Sequence, residues 1–113
     1  MTDLEATAER IRSDFEARNA ARDGALSRSR ELIRLCATAI RASHRDEWDA
    51  ARDLLAQADL IGAEIKSTLA PYPDLLTAGY TQDALKELVE AHATLAIASH
   101  APIPEPEALD VDY

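Results

Sequence analysis

The chain has 113 residues, a formal net charge of −9, and 47% hydrophobic but only 4% aromatic residues. That length suits one domain, and the apolar share is too high and too regularly spaced for a disordered chain. No apolar run approaches bilayer length and the polar start MTDLEATAER lacks a signal-peptide apolar region, so the expectation is a cytoplasmic protein with no membrane partner. The single cysteine, Cys36, allows no internal disulfide, which fits a reducing compartment.

Abundant Ala and Leu with few aromatics favours helices over strands. Residues 3–42 read as one long helix or two in line. Leu4, Ala8, Ile11, Phe15, Ala25, Ile33, Cys36 and Ile40 form a stripe at three- and four-residue steps, interrupted at Arg22 and Ser29 and weakened by Gly24. An arginine in that gap has two readings: a solvated kink, or a side chain aimed into a polar interior between subunits.

Ser43 is placed to cap a second helix from about Arg45 to Thr68, with Asp46 and Glu47 in its first turn. Trp48, Ala51, Leu55, Ala58, Ile65 and Leu69 make its core face, widened by Leu54 and Ile61. Gly62 on that face lets another helix come close, and Pro71 and Pro73 stop the helix.

Asp74–Ala78 reads as a short turn ended by Gly79, and Thr81 as the N-cap of a third helix reaching about Ser99. Leu85, Leu88, Val89, His92, Leu95 and Ala96 share one side, and the run from Leu88 to Ala98 suggests burial on more than one side. The remainder, APIPEPEALDVDY, has three prolines and four acids and reads as an extended tail. The predicted fold is all-α: an antiparallel bundle of three long helices plus a short turn helix over residues 1–100, with a Pro-rich acidic tail at 101–113.

The charge is unevenly divided. Residues 1–45 carry nine arginines against seven acids, whereas residues 46–113 carry three basic residues against fourteen acids. The RNAAR segment sets Arg18 and Arg22 one turn apart, and Arg30 follows on the same helix. Arginine suits bidentate phosphate contact, while pairing with nearby acids, such as Asp14 with Arg18, is the plainer role. In the third helix Asp83, Glu87 and Glu90 fall on one face, where two carboxylates one turn apart can share Mg²⁺ or Mn²⁺. Glu90, set among small apolar residues, is expected to be partly buried and to need a cation or an arginine of the first helix. His92 reads as a packed core histidine rather than a co-ligand.

With these features in place, the chain resembles the translin family. RNAARDGALSRSRELIRLCATAIRASH is similar to the family's arginine-bearing first helix, and DEWDAARDLLAQADLIGAEI to its second. KELVEAHATLAI is similar to its third, where ELVEA resembles the E-x-V-E-A segment of the translin-associated factor X branch, and DVDY resembles the acidic lead-in to the next helix. The resemblance implies an all-α homo-oligomer that binds single-stranded RNA or DNA through Arg18, Arg22 and Arg30. It also implies Glu87 and Glu90 as catalytic and metal-holding acids of a Mg²⁺-dependent endoribonuclease. The family's third acid would lie beyond Tyr113, so the chain reads as the first portion of a translin-like protein. At the start of the third helix, LLTAGYTQDA stands where translin has a histidine- and arginine-rich segment. The remaining expectation is a purely structural helical oligomerisation module.

Overall fold

The computed structural model describes residues 2–99. They form four helices and, among the described residues, no strand: α1 (Asp3–His44), α2 (Trp48–Leu69), α3 (Pro73–Leu76) and α4 (Gly79–Ala98). His100 and the predicted tail at 101–113 lie outside the described residues. No helix among the described residues is long and apolar enough to cross a membrane.

α1 is a single unbroken helix through Gly24, 42 residues long. At about 1.5 Å per residue it spans roughly 63 Å, which accounts for the 65 Å long axis of the molecule. Its start is fixed by a capping box: Thr2 Oγ1 accepts the Glu5 N–H at 3.1 Å, and the Glu5 carboxylate accepts the Thr2 N–H at 3.3 Å. Its end is a Schellman arrangement. Asp46, in the left-handed region at φ 58°, lets its own N–H donate to the Ser43 carbonyl and the Glu47 N–H to the Ala42 carbonyl. Ser43 is therefore the penultimate residue of α1, buried, with Oγ donating to the Ile40 carbonyl at 2.7 Å. It does not cap α2, whose N-cap is Glu47 with no side-chain bond.

α2 returns along α1, so that Arg28 meets Glu64, and α4 runs against α2, with Leu88 beside Gly62 and His92 beside Asp59. A Cβ on Gly62 would come within 3.0 Å of Leu88 Cδ2, so the missing side chain sets how closely α2 and α4 approach. The buried face of α2 is Ala51, Leu55, Ala58, Gly62, Ile65 and Leu69, as the spacing predicts, while Trp48 is only half-buried. In the second half of α1 the buried face is Ala25, Ser29, Leu32, Cys36, Ala39 and Ser43, flanked by Ala21, Leu35 and Ala42. Ile33 is exposed and Ile40 half-buried, and Ser29 lies inside the packed face instead of interrupting it. Small residues occupy these positions because α1 lies against both α2 and α4, where close approach excludes larger side chains.

Helix α3 connects the two sides. Pro73 sits in its first turn, where a missing N–H costs nothing. Its last carbonyls are captured from α4: Thr81 Oγ1 donates to Leu75 O at 2.9 Å and Gln82 Nε2 to Leu76 O at 2.8 Å. Thr81 is fully buried at the third position of α4, and the N-cap is Ala78. Along α4 the buried residues are Thr81, Ala84, Leu85, Leu88, Ala91, Leu95 and Ala96. Glu90, Ile97 and Ala98 face solvent, so the segment from Leu88 to Ala98 is covered on one side only.

Candidate functional site

Three places carry the side chains of interest. The first is the N-terminal arm of α1, Asp3–Ala17, every residue of which is exposed. Leu4, Ile11 and Phe15 are 79%, 62% and 63% exposed, and with Ala8 they form one stripe at steps of four, three and four. Continued along α1, the same seven-residue period passes through Arg18 and the exposed Arg22, then reaches Ala25, Ser29, Leu32, Cys36, Ala39 and Ser43, all buried against α2 and α4. The arm thus extends the packing face of the helix past the ends of its two partners. On its flanks Glu9 and Arg12 pair at 3.2 Å.

The second place is the base of the arm. The Arg18 guanidinium forks onto the Asp74 carboxylate of α3, with Nη1 3.2 Å from Oδ1 and Nη2 bridged to Oδ2. It also lies 6.0 Å from the centre of the Tyr72 ring. The hydrogen bond with Asp74 raises the Arg18 pKa and holds the Asp74 carboxyl below its usual range. Arg18 is therefore a structural bridge to the bundle, and its partner is Asp74 across 56 residues rather than Asp14 within the helix.

Other arginines are similarly engaged: Arg28 with Glu64, Arg34 with Glu31, and Arg45 with Glu47. Arg22, its side chain 54% exposed, has the Asp23 carboxylate only at 4.0 Å. Arg30 is exposed. The structure thus leaves Arg22 and Arg30 facing solvent and ties down Arg18, so the three predicted phosphate ligands do not form one patch of equal availability.

The third place is the acidic face of α4 and the polar seam behind it. Glu90 is exposed and Glu87 half-buried, the reverse of the expected environment for Glu90. Successive helix positions rotate by about 100°, which carries Glu90 off the packed side. Glu87 instead lies near buried Cys36. Burial pushes the Cys36 thiol up to about 12, with the Glu87 and Asp59 carboxylates acting in the same direction, so the thiol stays neutral and inert. His92 is half-buried and its Nε2 lies 2.7 Å from Asp59 Oδ1, which ties α4 to α2. Among the described residues no group of three His, Cys, Asp or Glu side chains is placed to hold a metal ion. Glu87 and Glu90 supply two carboxylates at most, and a Mg²⁺ ion held by them would keep the rest of its octahedral shell as water or other ligands.

The arm stripe was present in the sequence as apolar spacing, but its exposure is set by how far α2 and α4 extend. The Arg18–Asp74 bridge, which positions the base of the arm, gave no local signal because its halves lie on different helices. No protein-family model, no curated protein and no solved structure matches the chain.

Proposed function

We propose that the chain is a helical oligomerisation module that self-associates through the arm of α1. The observation that carries this reading is the exposed Leu4–Ala8–Ile11–Phe15 stripe, in phase with the face that α1 already uses for packing. Large apolar side chains aligned on a projecting helix mark an interaction surface more strongly than scattered ones. Light scattering on the purified chain should show mass rising with concentration, and Ile11→Glu with Phe15→Glu should abolish that rise while leaving the helical circular dichroism of the bundle in place. A wild-type chain that remains monomeric at high concentration overturns the reading.

A second reading is a translin-like bundle that binds single-stranded RNA or DNA, with Arg22 and Arg30 as phosphate contacts. Their exposure favours it. Counterion release then requires affinity to fall with added salt, and Arg22→Ala with Arg30→Ala to flatten that slope by about one for each contact removed. In this reading Glu87 and Glu90 act on Mg²⁺ only together with a donor from outside residues 2–99, and Arg18 keeps the bundle closed rather than touching phosphate.

A further inference from the structure

We propose that the partner of the arm is the same arm of a second copy, laid across it antiparallel with Leu4 opposite Phe15 and Ala8 opposite Ile11. This inference rests on the self-association reading and adds the partner, direction and register.

The stripe occupies the inner positions of a two-stranded coil, in the order Leu4, Ala8, Ile11, Phe15. In a parallel pair each layer would match a residue with itself, which leaves an Ala8–Ala8 gap beside an Ile11–Ile11 layer. Its flanks would bring Thr7 against Arg12, with no pair of opposite charges. The antiparallel pair behaves differently. Each large residue meets a complementary one, since the small Ala8 faces the β-branched Ile11 in both central layers and Leu4 faces Phe15 in both outer ones. Glu5 then lies across from Arg12 on each side of the two-fold axis, giving two opposite-charge pairs.

Register follows from the same stripe. A slip of one heptad in either direction reduces four matched layers to two. In the four-layer register, Thr2 and Asp3 of one copy arrive level with Ala17 and Glu16 of the other. Directly beyond stand Arg18, Asp74 and Tyr72, the shoulder at the base of the arm. The length of the exposed arm and the extent of the overlap therefore agree. In the isolated chain Arg12 lies 3.2 Å from Glu9, both well exposed, so turning toward a partner's Glu5 needs only side-chain rotation.

Charge reversal tests the geometry with the full chain at low ionic strength. Glu5→Arg alone and Arg12→Glu alone each turn two attractive pairs into repulsive ones and should weaken dimerisation by about tenfold or more. Mixing the Glu5→Arg chain with the Arg12→Glu chain should restore association. In the mixed pair the introduced arginine faces the introduced glutamate, and the native Arg12 of one chain faces the native Glu5 of the other. The Glu5→Arg/Arg12→Glu double variant should recover as well. Positions 5 and 12 are two turns apart within one helix and do not touch, and the double variant lacks the capping box and the Glu9–Arg12 pair, so recovery reports contact between chains. Sedimentation should give a closed dimer. A mixture no tighter than its components, or an assembly larger than two chains, overturns the antiparallel pair even if the wild type associates. A wild-type monomer removes the self-association reading itself.

Discussion

The two halves of α1 have the same seven-residue period and different surroundings. From Ala25 onward the stripe is covered by α2 and α4, whereas from Asp3 to Ala17 nothing among the described residues covers it. The covered half is built of small residues with Leu32 and Leu35 among them, whereas the bare half carries Leu4, Ile11 and Phe15. Close approach to two helices demands the first composition, and a single facing helix is best filled by the second. An isolated helix of about fifteen residues is marginal in water. The arm is continuous with a packed helix that supplies its nucleus, and the Thr2–Glu5 capping box closes its far end.

The sharpest way to break this comparison is to truncate one large residue in each half. Leu32 is fully buried, so Leu32→Ala should cost about 2–5 kcal/mol from lost transfer and a residual cavity. Phe15→Ala, at a position 63% exposed, should change unfolding of the monomer by no more than about 0.5 kcal/mol while still impairing association. Urea unfolding at a concentration below the association range measures both. Equal losses would mean that the arm is covered within the monomer.

A smaller effect tests how the base of the arm is held. Thr81 is buried and its Oγ1 donates to Leu75 O at the end of α3, a carbonyl that also accepts the Ala78 N–H at 3.3 Å. Thr81→Val keeps the shape and removes the donor, and should cost about 1 kcal/mol, the net worth of one hydrogen bond, because Leu75 O retains the Ala78 N–H. Thr81→Ser should retain most of the stability. If Val is as stable as Thr, the Thr81 hydroxyl contributes nothing to the α3–α4 junction.

Periodicity was legible along α2, where a single apolar stripe packs against both α1 and α4. The α2 face Ala51 to Leu69 follows directly from sequence, and Pro71 falls just past the end of that helix at Leu69. Helix ends were harder. Both Ser43 and Thr81 have the hydroxyl that an N-cap requires, yet each donates to a carbonyl instead, within α1 and across to α3 respectively. The reversal after α1 uses Asp46 in the left-handed region, where glycine would have announced it. The T-x-x-E of Thr2 to Glu5 was a readable capping box and marks the true start of α1. In the candidate site, the spacing of Glu87 and Glu90 was visible but not which of them turns inward, since that depends on where α4 presses against α1 and α2. Arg18 could not be assigned from its own helix, because Asp74 reaches it only once α3 is folded against the arm's base.

The smallest expected effect concerns that bridge, the boundary between the covered and bare halves. Arg18 holds the Asp74 carboxyl below its ordinary pKa, so the pair contributes stability that is present above the usual carboxylate value and is lost as pH falls through the folded one. Asp74→Asn should therefore lower the melting temperature slightly at pH 7 and flatten the loss on acidification below about pH 4, the ordinary value for an aspartate. Both side chains are substantially exposed, so added salt should shrink the difference between variant and wild type. Arg18→Lys separates charge from shape: it keeps the cation but loses the two-pronged contact and the planar approach to Tyr72. If melting curves from pH 7 to pH 3 superimpose for wild type and Asp74→Asn, the bridge contributes nothing to the shoulder. The length of the bare half is then set by where α2 and α4 end rather than by the contact that ties Arg18 to α3.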